Sequence, residues 1–314
     1  MKKIPLETTL VGAYRFLFTN IVSVIGTIWL PFVLLFGLMG GLVYMVIPHE
    51  WLTGNFTQFD AKEVLTKALP LLYCYPLIIF AALVTAAMVL VGLLRHSLGL
   101  KRGTTFIYFS LGAKVWRLIG AYLLIYVVMV ALVAIFAVAF GLLDGVFAPM
   151  MPKAAAVFAN VVLGFIAFCA VFYVLVRLFF FLPAVIVAEG KLGIRRAWSL
   201  GGGNFWRIFF TILMIVIPVG FLAGIALEMT ILPACMAAAL TMPHHPAAAD
   251  VAAMFRSLLP LLPTILIIVL IERIAIMGLL AGAMGTAYNA LTTPAAPAAP
   301  AAEAVSPAEV AASA

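Results

Sequence analysis

The stretch LIGAYLLIYVVMVALVAIFAVAFGLL, Leu118–Leu143, contains no charged residue. Lys114 and Arg117 stand just before it and Asp144 follows it. The hydrocarbon core of a bilayer is about 30 Å thick, and a helix crosses it with ~20 apolar residues. The apolar residues run continuously and do not alternate at period two, which argues against a barrel strand. Backbone polar groups in lipid must bond within their own segment, so the stretch reads as a membrane-spanning helix.

Working outward, five further runs meet the same test: Phe18–Ile47, Leu69–Leu94, Ala154–Leu182, Ile208–Met229 and Leu258–Leu280, the last continuing towards Leu291. The composition agrees, with 67% hydrophobic and only 9% charged residues. The expected fold is an all-α integral membrane protein with six transmembrane helices over residues 1–291. An Ala/Pro-rich tail, 292–314, is expected to be a disordered cytoplasmic extension. Lys2 and Lys3 resemble the start of a signal peptide. However, Tyr14, Arg15 and Phe16 intervene, the apolar run exceeds an h-region and no Ala-x-Ala site closes it, so a retained first span is expected.

Orientation follows from Lys and Arg in the gaps. Lys2, Lys3 and Arg15 precede the first run. Arg95, Lys101, Arg102, Lys114 and Arg117 follow the second, and Lys191, Arg195, Arg196 and Arg207 follow the fourth. These are twelve of the eighteen Lys and Arg. The alternate gaps hold Lys62, Lys67, Lys153 and Arg256. Both termini are therefore expected in the cytoplasm. The net charge of +7 lies mainly in this ring, which suits anionic lipid headgroups. Nucleic acid is not an expected partner, because the basic residues are divided among segments that border spans.

The odd-numbered spans begin alike. Tyr14-Arg15-Phe16, Trp116-Arg117 and Trp206-Arg207 each join an aromatic residue to an Arg. Arg95, Arg177 and Arg273 lie near or before the inner ends of the even spans. This suggests three repeated two-helix hairpins, each led by an interfacial segment, although any inner membrane boundary attracts aromatic and Arg residues. Leu192–Trp198 mixes Leu192, Ile194 and Trp198 with Lys191, Arg195 and Arg196, which fits a short helix lying flat on the inner leaflet. Gly201–Gly203 breaks it, and Asn204 is placed to cap the fifth span. Pro5–Tyr14, with Thr8 or Thr9 near its start, has the same character. The interfacial or lipid-facing candidates are Arg15, Arg117, Lys191, Arg195, Arg196, Trp198, Trp206 and Arg207.

Glu272 and Arg273 interrupt the last run. Charge at that depth costs about 2.5–3.5 kcal/mol per residue on insertion scales, so such residues usually face a cavity or a partner. Arg177 and Glu228 are the candidate partners. The pair reads as an interior site, a structural ion pair, or an Arg snorkelling to the headgroups. Pro31, Pro76, Pro183, Pro218, Pro260 and Pro263 fall in the runs and can kink them. Gly37, Gly40 and Gly41, and Gly278, Gly282 and Gly285, permit close helix contacts.

No catalytic constellation is present: there is no GxSxG, HExxH or Walker loop. Cys74, Cys169 and Cys235 have no CxxC spacing and read as reduced packing residues. His244-His245 with Asp250 lacks a ligand-rich context for a metal, and His49-Glu50 and His96 are weaker still. The Asn55-Phe56-Thr57 sequon matters only in a glycosylating host. No metal, cofactor or enzymatic activity is expected.

Glu189-Gly190-Lys191-Leu192-Gly193-Ile194-Arg195-Arg196-Ala197-Trp198-Ser199-Leu200-Gly201-Gly202-Gly203-Asn204-Phe205-Trp206-Arg207 resembles a hallmark of a bacterial membrane-protein group. That group includes the YciC-type inner-membrane proteins and the membrane domain fused to some glycerophosphoryl diester phosphodiesterases. Glu189, Arg196, Trp198, Leu200, Gly203, Asn204 and Trp206 fit its pattern. Ala197 replaces a Ser, and Gly201-Gly202 replaces a more polar pair. Arg177…Phe181-Leu182-Pro183 and Gly285-Thr286-Ala287-Tyr288 are similar too. The resemblance implies a six-span bacterial inner-membrane protein. The phosphodiesterase barrel is absent, so no catalytic residue carries over.

The expected function is non-enzymatic: a membrane-organising protein that binds lipid or a protein partner through its basic inner face. The alternative is a small transporter or channel using Glu272, Arg273 and Arg177 in a kinked bundle. An intramembrane lipid-modifying enzyme ranks last, for want of a nucleophile or metal cluster.

Overall fold

A computed structural model of the chain describes residues 3–46, 61–101, 103–241 and 258–293. Lys2, Arg102, Arg256, the His49-Glu50 and His244-His245 pairs, Asp250, the Asn55 sequon and the tail beyond Thr293 lie outside them. Among the described residues there is no strand. The helices are α1 (Leu6–Thr19), α2 (Ile21–Val46), α3 (Ala61–Ser97), α4 (Ala113–Leu142), α5 (Lys153–Phe179), α6 (Leu182–Glu189), α7 (Ile194–Gly201), α8 (Phe205–Thr241) and α9 (Leu262–Thr292).

Six segments are long and apolar enough to cross a membrane: Ile21–Leu42, Tyr73–Ser97, Ala113–Phe147, Lys153–Glu189, Phe205–Ala237 and Leu259–Thr292. They match the six expected runs, and the chain is a polytopic all-α membrane protein. The helices outrun several expected boundaries. α8 has 37 residues, about 55 Å at ~1.5 Å per residue. Hydropathy picks out only the hydrocarbon-length part, and α8 continues past Pro233 into the Ala-rich stretch Ala234–Ala239.

α9 is the central helix and touches α1, α2, α3, α6 and α8. Its glycines explain the approach of α1. A Cβ on Gly278 would meet Leu17 Cδ1 at 2.7 Å, and one on Gly282 would meet the Ala13 backbone at 3.0 Å. Small residues let helices approach this closely. The contacts Gly12–Thr286, Ala13–Gly282 and Leu17–Gly278 run in opposite senses, so α1 lies antiparallel along α9. Its buried stripe, Thr9, Ala13 and Leu17, has the i, i+4, i+8 spacing of one face. The flat interfacial helix expected at Pro5–Tyr14 is thus a helix docked lengthwise. A Cβ at Gly37, Gly40 or Gly41 would meet nothing within 4 Å among the described residues, so no close helix approach depends on these glycines there.

The proposed three-fold repeat is only partly realised. Short helices precede the first and fifth spans (α1 and α7), whereas residues 103–112 before the third span are not helical. That segment is tucked between α2 and α3. Trp29 Nε1 donates to Phe106 O at 2.9 Å, and Thr105 N–H donates to Ser23 Oγ at 3.2 Å. Gly26 makes room for the Thr105 backbone.

The packed core sits at one end of the bundle. In α4 burial stops at Ile125, while Tyr126, Val127, Ile135 and Val138 are exposed. In α8 Ile208 and Ile215 are buried, while Phe221, Leu222 and Met229 are exposed. In α9 the buried run is Gly278–Tyr288, and Leu266, Ile267 and Ile271 are exposed. So much contiguous apolar surface calls for lipid as its solvent.

Candidate functional site

The well-packed end is also the basic end. Ile4, buried to 1%, is held by α8: its N–H donates to Asn204 Oδ1 at 3.0 Å, and its carbonyl accepts from Arg207 Nη1. Both backbone polar groups of a buried residue are thereby satisfied. The α4 start meets α6 in the same way. Lys114 Nζ donates to Val187 O at 2.6 Å, and Arg117 Nη1 donates to Gly190 O. The N-terminal segment, the gap after α3 and the gap after α5 therefore converge at one end.

Up to Ala188 α6 is apolar all round, as a helix segment buried on every side must be. Leu182–Val187 are all buried. Its last carbonyls lack intrahelical partners, and the Lys114 and Arg117 cations meet the negative end of its dipole. Arg117, expected to face lipid, is thus anchored to a carbonyl although its side chain is exposed. Gly190 ends the helix with φ +67°.

The α6–α7 turn then depends on Gly193. Its φ is +32°, and a Cβ there would collide with Val185 Cγ1. α7 seats against the last turn of α5 through Gly201, where a Cβ would lie 2.9 Å from Arg177 O. Arg177 itself is not an interior charge facing α9. Its Nε donates to Trp198 O at 3.1 Å and its Nη1 to Tyr173 Oη at 2.6 Å. The guanidinium lies 4.0 Å from the Trp198 ring centre, a cation–π contact.

Glu189 is shared. Its Oε1 accepts from Tyr288 Oη at 3.1 Å and pairs with Arg196 Nε at 3.5 Å. Lys191 and Arg195, both exposed, have no hydrogen-bond or ion-pair partner among the described residues, and neither does the exposed side chain of Arg15. Trp198, Tyr173, Phe205, Trp206 and Phe210 form a chain of ring contacts beside these cations. Trp206 is 64% exposed. Aromatic rings beside exposed Lys and Arg are the side-chain set of a membrane interface.

The charges in the last spans do not assemble. Glu228 and Arg273 are exposed and Glu272 is half-buried. None of the three pairs with another charge or with Arg177 among the described residues. Three apolar hollows, of about 550, 320 and 290 Å³, lie between α4 and α5, in the bundle centre and between α2 and α3. None is walled by Glu228, Glu272, Arg273 or Arg177. On the opposite end Asn160 Nδ2 donates to Asp144 Oδ1 at 2.6 Å, closing the α4–α5 hairpin. Among the described residues no group of three metal-ligating side chains occurs.

The carbonyl-capping roles of Lys114 and Arg117 and the seat of residues 103–112 were not foreseen. The available signals were Gly26 and Gly92, small residues inside apolar runs where another backbone or ring approaches. No protein-family model, curated protein or solved structure significantly matches the chain.

Proposed function

We propose that the protein is a non-enzymatic, membrane-organising protein of the bacterial inner membrane that holds anionic lipid at its basic end. Both termini then lie in the cytoplasm. The observation that carries this reading is the exposed Lys191 and Arg195, without an acidic partner among the described residues, beside Arg196 in the sequence and at the same end as the exposed Trp206. A cation near an anionic surface contributes about 1 kcal/mol. The neighbouring cations Arg117, Arg177 and Arg207 are held by protein carbonyls and rings, so they build the surface and leave Lys191 and Arg195, with the exposed Arg196 that also pairs with Glu189, to meet headgroups. The resemblance of residues 189–207 to the YciC-type proteins points to the same class. The transporter alternative gains nothing from the described residues: Glu272 and Arg273 border none of these three hollows and have no charged partner among them.

Native mass spectrometry of the detergent-purified protein tests the proposal. Wild type should retain phosphatidylglycerol in preference to phosphatidylcholine, and K191Q/R195Q/R196Q should lose that preference with little change in melting temperature, because an exposed pair such as Arg196–Glu189 contributes at most about 1 kcal/mol. An unchanged preference in the triple variant would overturn it.

A further inference from the structure

One hollow differs from the others. It has a volume of about 500 Å³, lies between the α1–α2 corner and residues 99, 101, 103 and 104, and its wall includes Thr19, Asn20, Ser23, His96, Lys101 and Thr104. We infer that this niche binds a phosphate group, carried either by a lipid headgroup or by a small soluble phosphate.

The sign of the charge comes first. Lys101 donates one hydrogen bond, to Thr105 Oγ1 at 2.9 Å, and stands 5.7 Å from the Tyr108 ring centre. An ammonium has three donors, so two remain. No carboxylate among the described residues pairs with it, and none lines the niche. A half-buried cation without a counter-charge favours an anion. His96 Nε2 shares Thr105 Oγ1 at 2.9 Å, which fixes the imidazole and the ammonium relative to each other.

The remaining wall supplies donors. Ser23 Oγ accepts from the Thr105 N–H, which leaves its own proton for a ligand. Thr104 is exposed and has no partner among the described residues. The backbone at Ile21, Val22 and Ser23 adds first-turn N–H groups of α2, which have no intrahelical acceptor. These add to the cation and hydroxyls and do not by themselves define the site.

The niche is also built in advance. The Trp29–Phe106 and Ser23–Thr105 bonds and the close seat on Gly26 hold the segment that carries Lys101. Preorganised donors bind without an ordering cost. The volume falls in the usual range of ligand sites, roughly 300–1,000 Å³, and suits a phosphate with its attached glycerol or sugar. This inference deepens the lipid-binding reading but stands on different residues.

The test uses the full chain purified in detergent, with phosphatidylglycerol, phosphatidylcholine and inorganic phosphate as probes. K101Q removes the cation, and T104E adds an opposing charge at an exposed, unpartnered position that does not threaten folding. Both should weaken retention of phosphatidylglycerol about tenfold, the size of one lost charge-assisted hydrogen bond. If inorganic phosphate raises the melting temperature of wild type but not of K101Q, the niche stands and its ligand is soluble. Wild-type retention of phosphatidylglycerol and wild-type response to phosphate in both variants would overturn it. Loss of phosphatidylglycerol in K191Q/R195Q/R196Q alone, together with a wild-type phosphate response in K101Q, would sink the niche and leave the outer belt. Loss in K101Q and T104E alone would do the reverse.

Discussion

Ile4 and Asn204 are 200 residues apart in the chain, and the Ile4 N–H donates to Asn204 Oδ1 at 3.0 Å. The bond ties the start of the protein to the start of its fifth span. Asn204→Ala leaves a buried N–H without its acceptor, which costs about 1–3 kcal/mol. The Asn204 Nδ2 group also donates to the Leu200 and Gly202 carbonyls, so Asn204→Asp keeps the acceptor but loses these donors. Thermal unfolding in detergent should show the Ala variant melting well below wild type; an unchanged melting temperature would mean that the bond to Ile4 contributes nothing.

Arg177 lies 4.0 Å from the centre of the Trp198 ring and donates to the Trp198 carbonyl. Only the ring contact is lost in Trp198→Leu. A double-mutant cycle with Arg177→Gln should give a coupling of about 1 kcal/mol, within the range for a partly desolvated cation–π pair. Additive effects would mean that the two residues stabilise the protein independently.

Gly193 and Gly37 make a matched pair of helix-boundary and helix-interior glycines. Gly193→Ala meets a left-handed backbone and the Val185 side chain, and the backbone conformation alone costs at least ~1 kcal/mol. Gly37→Ala meets open space and should be neutral or stabilising by up to ~1 kcal/mol. Yield and melting temperature of the two variants read the difference directly.

Lys114 and Arg117 cap the carbonyls of α6. Their replacement by Gln should lower stability by roughly 0.3–1 kcal/mol each through the lost interaction with the helix end. Lipid preference should be unchanged, in contrast to K191Q/R195Q/R196Q. A loss of preference in the Arg117 variant with no loss of stability would reverse the division between structural and lipid-facing cations.

Arg273 is exposed on α9 and has no partner among the described residues. A cation at such a depth costs about 2.5–3.5 kcal/mol. Arg273→Leu should therefore insert at least as well as wild type and retain the same lipids. A variant that inserts normally yet loses a transport activity measured in proteoliposomes would restore the transporter reading.

The spans were legible because lipid imposes a length and a continuity that no soluble fold requires. The glycines of α9 were legible too, as a small-residue stripe. α6 was hidden inside the fourth apolar run. Its break at Phe180 and Phe181 and its burial on all sides depend on neighbours that no local pattern reveals. The same holds for Arg177, whose depth was read from the surrounding apolar residues. Its position in the last turn of α5, with Tyr173 one turn away and Trp198 across the corner, makes it part of the basic end. Lys101 drew notice only as one charge among five in its gap. Its lack of a carboxylate partner among the described residues is a fact of tertiary structure.

The proposed topology puts the basic end in the cytoplasm. The most direct measurement is labelling of single cysteines by a membrane-impermeant maleimide, in a chain from which Cys74, Cys169 and Cys235 have been removed. Arg195→Cys should react only after lysis, and Lys153→Cys, at the opposite end of the bundle, should react in intact cells. Equal labelling of both from outside would contradict the six-span topology, and the inverse pattern would place the lipid-binding belt on the wrong leaflet.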